Sequence, residues 1–315
     1  MSRYVGDPIV FTGNAHPQLA RDVCAALDVE LGCANVFDFA NGNTFVQFLE
    51  NIRERDVFLI QPGAKPVNHH LVELLIMIDA ARRASAGRIT AVVPYFAYGR
   101  SDKKDQPRVP ITARLFADLI QTAGADRMLT MDLHAGQIQG FFHIPTDELT
   151  AQQLMVEHFQ RRGFDGVVVS PDFGGAKRAR AAADLLGMPV AIAEKRRTSN
   201  DDRAEMLQLI GDVVDRDVLI IDDEIVTAGT LCEVAEMLRG QGARSIWAAA
   251  IHGILPHPAL ERLAASPIAS VVLTDTLPLP QERRGAMLET VSIAPLLGEA
   301  IRRIHEGDSV GALFR

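Results

Sequence analysis

Residues 220–230, Ile-Ile-Asp-Asp-Glu-Ile-Val-Thr-Ala-Gly-Thr, bring carboxylates, hydroxyls and a glycine into one short run. The apolar stretch 218–221 reads as a buried strand and 231–238 has helical spacing, so the run joins a strand's carboxyl end to a helix's amino end. Unpaired N–H groups and the dipole at a helix start attract an anion. Gly229 lets that anion approach the backbone, Thr227 and Thr230 offer hydroxyls, and Ala228 keeps the turn small. Asp222 and Asp223 can accept hydrogen bonds from neighbouring ribose hydroxyls. A sugar phosphate suits such a run, with its anion in the turn and its diol on the acids. The competing reading is an acidic strand end followed by a capped helix. No Lys follows Gly229, so the nucleotide P-loop pattern is absent.

Further clusters sit where α/β enzymes place ligands, at the carboxyl ends of strands. Residues 94–110 form a long loop marked by proline and glycine. It carries Arg100, Ser101, Lys103 and Lys104 and is locally basic. Loops of this length are lids, binding loops or solvated surface. His134 follows the apolar run 128–131, as a structural imidazole or a ligand. Asp172 closes another strand before a glycine-opened, alanine-rich helix, where an acid binds a divalent ion or caps the helix. Lys195, Arg196 and Arg197 are three consecutive cations at a further strand end, either solvated or placed to neutralise a phosphate in transfer.

Positioning these residues takes alternating strands and helices. Strands are expected at 9–12, 57–60, 89–93, 128–131, 167–169, 190–193, 218–221, 246–251 and 269–273, and helices at 69–84, 112–123, 175–186 and 294–304. Such alternation implies parallel sheets flanked by helices. Residues 55–60, Arg-Asp-Val-Phe-Leu-Ile, echo 216–221, Arg-Asp-Val-Leu-Ile-Ile, and each is followed by a helical stretch and another apolar strand. Two similar domains are therefore expected, 1–147 and 148–315, joined near 146–151.

The chain has 315 residues, 48% of them hydrophobic, enough for two cores. A net charge of −8 argues against nucleic acid and membrane surfaces as partners. The three cysteines, Cys24, Cys33 and Cys232, form neither a metal spacing nor a disulfide framework. The first residues are too polar for a signal peptide, and no apolar run reaches membrane-spanning length, so a cytoplasmic location is expected.

The order of the clusters along the chain carries a resemblance. Phe39-Ala40-Asn41-Gly42-Asn43, Tyr98-Gly99-Arg100-Ser101-Asp102, Asp132-Leu133-His134-Ala135, Ser170-Pro171-Asp172, Lys195-Arg196-Arg197 and residues 222–230 together resemble the ribose-phosphate diphosphokinases, or phosphoribosyl diphosphate synthetases. Residues 85–92 and 137–142 extend the likeness over essentially the whole chain, closest to the phosphate-activated, hexameric type.

The resemblance implies an α/β fold of two phosphoribosyltransferase-like domains, each a mostly parallel sheet flanked by helices. It implies transfer of the β,γ-diphosphoryl group of MgATP to the C1 hydroxyl of ribose 5-phosphate, with Mg²⁺ as cofactor and a homo-oligomer, a hexamer built from dimers. Its site residues carry over as follows: His134 and Asp172 bind metal, Lys195 and Arg197 are catalytic, and Phe39, Asn41, Gly42, Asn43, Arg100 and Ser101 bind ATP, with the adenine segment acting on a neighbouring subunit. Ribose 5-phosphate falls to Arg197, Asp222, Asp223, Val226, Thr227, Ala228, Gly229 and Thr230. The sequence also departs from the family pattern. Val226 stands at a usually acidic position, Glu224 at an apolar one, Asn43 at a usual Glu and Ser101 at a usual Gln. Near the family's regulatory anion site, His143, Glu148 and Gly311 replace usual Asp, Asn and Ser. Two rival readings share parts of this inventory: a phosphoribosyltransferase consuming phosphoribosyl diphosphate, and a non-catalytic regulatory paralogue.

Overall fold

The apolar runs Asp56–Ile60 and Gly166–Ser170 are buried at every position, as parallel strands covered on both faces require. Each lies inside a sheet of its own. A computed structural model describes residue 4 and residues 6–197, 205–279 and 287–314, with the backbone alone for 195–197, 205–207 and 314. The chain divides into two compact units: Met1–Thr150 with Thr276–Pro278 and Ser292–Arg315, and Ala151–Asp275 with Leu279–Val291.

The first unit runs β1 (Ile9–Thr12), α1 (Pro17–Leu27), β2 (Ala34–Asp38), β3 (Thr44–Phe48), β4 (Asp56–Ile60), α2 (Val67–Arg83), β5 (Arg88–Val93), α3 (Thr112–Ala123), β6 (Arg127–Met131) and β7 (Thr146–Leu149). Its five-stranded sheet has the order β1-β4-β5-β6-β7 and is parallel throughout. Two elements depart from the expected pattern. Thr146–Leu149, expected at the domain join, is the edge strand β7 in register with β6 (Met128 with Thr146, Met131 with Leu149). Its sequence Thr-Asp-Glu-Leu is polar because an edge strand need not be buried, and it therefore reads as a loop. Ala34–Asp38 and Thr44–Phe48 form an antiparallel hairpin apart from the main sheet.

The second unit runs α4 (Gln152–Arg161), β8 (Gly166–Ser170), α5 (Ala176–Leu186), β9 (Val190–Arg197), β10 (Glu205–Ile210), β11 (Asp217–Ile225), α6 (Gly229–Gly240), β12 (Ser245–Gly253), α7 (Ala259–Ala265), β13 (Ile268–Thr274) and β14 (Leu288–Val291). Its sheet order is β10-β9-β8-β11-β12-β13-β14, with only β10 antiparallel to its neighbour. The core is aliphatic, built on Val167, Val169, Val218, Ile220, Val234, Leu238, Ala248 and Val271.

The last helix, α8 (Ala294–Glu306), belongs to the first unit, so a single cut after residue 147 does not describe the units. Its apolar face, Leu297, Ala300, Ile301 and Ile304, is buried, and it packs on α1. Gly298 permits the approach, since a Cβ there would stand 3.2 Å from Ala26 Cβ. The helix end is tied down by charge. Arg88 donates to both carboxylate oxygens of buried Asp56, at 2.8 and 2.5 Å, and to the Ile304 carbonyl at 2.8 Å. His305 Nδ1 lies 2.9 Å from Asp56 Oδ2. No helix among the described residues is long and apolar enough to cross a membrane.

Candidate active site

In the second unit β11 runs further than its apolar run foretold. Asp222, Asp223 and Glu224 lie inside the strand, not just beyond its end, because β12 continues alongside and pairs Asp222 with Ala250 and Glu224 with His252. Pairing with β8 stops at Ile220, opposite Val169. Beyond that point the acid-bearing end of β11 faces the loop after Ser170 and the start of α5.

The two aspartates are close. The Asp223 N–H donates to Asp222 Oδ1 at 2.8 Å. Burial, then the hydrogen bond and the charge of Asp223, push the Asp222 carboxyl up to about 8. Arg178 of α5 opposes that shift, with its Nη1 3.6 Å from Asp222 Oδ1 and 3.4 Å from Asp223 Oδ1.

Residues 226–228 then turn the chain into α6. Ala228 has φ +58°, a left-handed conformation, and is buried. Thr227 and Thr230 are exposed, with Val226 and Gly229 partly so. The Thr227 carbonyl accepts from Arg262 Nη1 of α7 at 3.1 Å. The same nitrogen would lie 3.6 Å from a Cβ placed on Gly229, and Thr227 Oγ1 would lie 3.8 Å from it. Free helix N–H groups, two exposed hydroxyls and an arginine thus surround one turn, an arrangement suited to an anion.

Asp172 is exposed beyond β8, and its Oδ1 accepts from the Gly175 N–H at 2.8 Å, so it does bond the start of α5. One oxygen is engaged this way. Lys195 and Arg197 were expected at a strand's end. They lie instead within β9, whose backbone continues in register with β10, Lys195 opposite Leu207 and Arg197 opposite Glu205. Their side chains lie outside the described residues.

In the first unit the loop after β5 begins as tight turns: Gly99 N–H donates to Phe96 O and Ser101 N–H to Tyr98 O. Tyr98, at φ +65°, stacks on Phe116 at 4.9 Å and donates to Asn68 Oδ1 at 2.5 Å. Gly99 lies against the histidine, since a Cβ there would be 3.5 Å from His134 Cβ. Asp102 Oδ2 accepts from Gln137 Nε2 at 2.8 Å. The structure thus brings Arg100 and Ser101 into the neighbourhood of His134, which is exposed. The His134 segment has its own brace: Asp132 is left-handed at φ +39°, and the Leu133 N–H donates to Glu148 Oε1 at 2.9 Å.

Phe39, Asn41, Gly42 and Asn43 form the tip of the β2–β3 hairpin. The Phe39 N–H donates to Asn43 O at 2.9 Å, Gly42 takes φ +82°, and the Asn43 N–H donates to Asn41 Oδ1 at 3.0 Å. Phe39 is 49% exposed, with its ring 5.3 Å from Phe37 and 5.6 Å from Phe45. An aromatic held this open at the edge of a phenylalanine cluster offers a stacking face.

Sequence reasoning passed over Arg178 and Arg262. Arg178 lies three residues beyond Gly175, inside a helix read only as alanine-rich. Nothing near Arg262 in the sequence marks it.

Comparison with known proteins agrees along the chain. Residues 8–124 match the N-terminal domain of ribose phosphate pyrophosphokinase and residues 198–315 the phosphoribosyl synthetase-associated domain. A ribose-phosphate pyrophosphokinase of Caldanaerobacter subterraneus subsp. tengcongensis is 49% identical, covering 100% of both chains. A putative ribose-phosphate pyrophosphokinase of Streptomyces coelicolor is 50% identical over 98% of each. The crystal structure of phosphoribosylpyrophosphate synthetase from Mycobacterium smegmatis superposes with a TM-score of 0.90 at 43% identity, covering 96% of this chain and 100% of that one.

Proposed function

The chain belongs to the ribose-phosphate pyrophosphokinase family, and from that premise we propose that it transfers the β,γ-diphosphoryl group of ATP to the C1 hydroxyl of ribose 5-phosphate, releasing AMP. The observation that carries this reading is the end of β11. An acid pair on the strand, a left-handed Ala228 and the start of α6 combine diol acceptors with an anion cradle.

In this reading Thr227, Gly229 and Thr230 hold the 5-phosphate, with Val226 and Ala228 shaping the turn, and Asp222 and Asp223 accept from the ribose hydroxyls. Val226 offers no charge where the family usually has an acid, so it neither repels the phosphate nor adds an acceptor. Arg100 and Ser101 contact the polyphosphate, while Phe39, Asn41, Gly42 and Asn43 receive adenine across a homo-oligomer. Lys195 and Arg197 neutralise the group in transfer, and Arg197 also contacts ribose 5-phosphate. The reaction asks for positioning and positive charge more than for a covalent nucleophile.

Among the described residues no three His, Cys, Asp or Glu side chains converge into a metal-binding group. The carboxylate of Asp172, to which the family likeness adds His134, fits Mg²⁺, which keeps several waters and takes further ligands from substrate phosphates. Bound there, it would supply charge neutralisation on the phosphate oxygens. A histidine is an unusual partner for so hard a cation, and its role rests on the family likeness.

The test is to incubate the purified protein with MgATP and ribose 5-phosphate and identify the nucleotide product. Attack at the β-phosphorus gives AMP and phosphoribosyl diphosphate in equal amounts. Ribose-dependent ADP without AMP would refute the transfer, and no product under any condition would favour a regulatory paralogue.

A further inference from the structure

Arg178 is the cation that meets the acid pair, and the strand register explains why it can. Because β8 stops pairing at Val169 while β11 continues to Ile225, the flank of Asp222 and Asp223 has no strand beside it on that side. The first turn of α5 fills the place. Gly175 lets it do so: a Cβ there would stand 2.9 Å from Ser170 Oγ and 4.0 Å from Arg178 Nη1. The ion pairs are partly withdrawn from water, with side-chain exposures of 22% for Arg178, 28% for Asp222 and 9% for Asp223. Charges so placed interact more strongly than on an open surface.

Two carboxylates side by side cannot both stay ionised cheaply, and burial together with Asp223 raises the Asp222 carboxyl. The Arg178 guanidinium offsets part of the negative charge on the pair. An anionic sugar phosphate then meets less repulsion from the acids that are to bind its hydroxyls. One guanidinium nitrogen stands 3.6 Å from an Asp222 oxygen and 3.4 Å from an Asp223 oxygen, so its charge attracts one oxygen of each acid toward the same point. Ribose hydroxyls are donors, so their recognition depends on where the acceptor oxygens point.

We propose that Arg178 is a positioning residue for the ribose diol, holding the carboxylates of Asp222 and Asp223 in the arrangement that accepts from the 2- and 3-hydroxyls. This deepens the ribose 5-phosphate reading and rests on it. Arg178 takes no part in the bond changes at the β-phosphorus, so its effect is on the sugar.

The experiment compares kcat/KM for ribose 5-phosphate and 2-deoxyribose 5-phosphate in wild type, Arg178→Gln and Arg178→Lys, with thermal unfolding as the check on folding. A site built to bind a hydroxyl rejects the analogue lacking it, and Arg178→Gln should lose that discrimination by about 10-fold or more. Its KM for ribose 5-phosphate should rise while KM for ATP stays within about 2-fold, a split that general damage does not produce. Arg178→Lys should recover part of both, because it keeps the charge but not the planar fork. A folded Arg178→Gln with wild-type discrimination overturns the proposal. If Arg178→Gln does not fold, Arg178→Lys carries the test, and unchanged discrimination there overturns it equally. A wild type that turns over neither sugar overturns the parent reading, so the two failures are told apart.

Discussion

Arg262 donates from Nη1 to the carbonyl oxygen of Thr227 at 3.1 Å, fastening the turn before α6 to α7. The donor is charged and the acceptor belongs to the backbone, so the bond fixes the peptide that leads into the left-handed Ala228. Arg262 is solvent-exposed, which places its contribution at the low end of charge-assisted bonds, about 1 kcal/mol. Arg262→Gln should therefore raise KM for ribose 5-phosphate by roughly 5-fold with KM for ATP unchanged. Steady-state kinetics with each substrate varied in turn checks this. Equal effects on both would point to general loss of fold.

Ala228 supplies the second prediction. A non-glycine residue at φ +58° carries a strain of about 1 kcal/mol, and its side chain is buried, so neither shape nor size is free to change. Ala228→Val adds β-branching where the backbone tolerates it least. It should lower the melting temperature by several degrees and weaken ribose 5-phosphate binding, whereas Ala228→Gly should melt at or above the wild type. A valine variant as stable as the parent would mean the turn relaxes out of the left-handed region.

Much of this was legible in the sequence where one physical signal dominated. Buried parallel strands are continuous apolar runs, and α3 was read to the residue because Ala113, Ala117 and Ile120 recur on one face. Polar or half-exposed strands gave no such signal, which is why β2, β3, β7, β10 and β14 went unread. The carboxylates of β11 fell just beyond the expected strand because the apolar run ends at Ile221, yet the ladder to β12 carries the strand to Ile225. The site residues came mainly from the order of short motifs. Arg178 and Arg262 are set by helix packing against a loop, and no local spacing announces that.

The cations of β9 give a kinetic prediction. If Lys195 and Arg197 act on the charge that builds during transfer, replacing either with Ala should lower kcat by at least ~10²-fold, with the fold and ATP binding largely kept. Wild-type turnover in Lys195→Ala would mark that lysine as a solvated strand residue.

Asp222 predicts a pH dependence of stability. Its carboxyl sits near ~3.9 in an unfolded chain and is pushed up to about 8 here, first by burial and then by Asp223. The folded state thus binds this proton more tightly than the unfolded chain. The stabilisation is fully present below about pH 4 and is lost as pH rises toward 8. Removing the titration with Asp222→Asn should flatten that decline. Ligand-free melting temperatures measured from pH 5 to 8.5 should fall more steeply in wild type than in the variant. Parallel curves would show that Asp222 ionises normally.

Glu148 supplies a prediction about regulation. The family resemblance implies an anion site near this residue, where the usual Asn is neutral. Glu148 brings a carboxylate whose Oε1 accepts from the Leu133 N–H at 2.9 Å and whose Oε2 accepts from Gln139 Nε2 at 2.5 Å. Both bonds hold the carboxylate in place, and a fixed negative charge opposes a phosphate bound nearby. Arg114 Nη2 lies 3.1 Å from His143 Nε2, at the position where the family usually has Asp. At Gly311 the hydroxyl usual in the family is missing. The expected outcome is weak activation by phosphate and weak allosteric inhibition by ADP, with Glu148→Asn strengthening both. Titrating phosphate and ADP against initial rate at saturating MgATP, in wild type and variant, reads this directly. The idea fails if the unmodified enzyme depends strongly on phosphate and Glu148→Asn leaves that dependence unaltered.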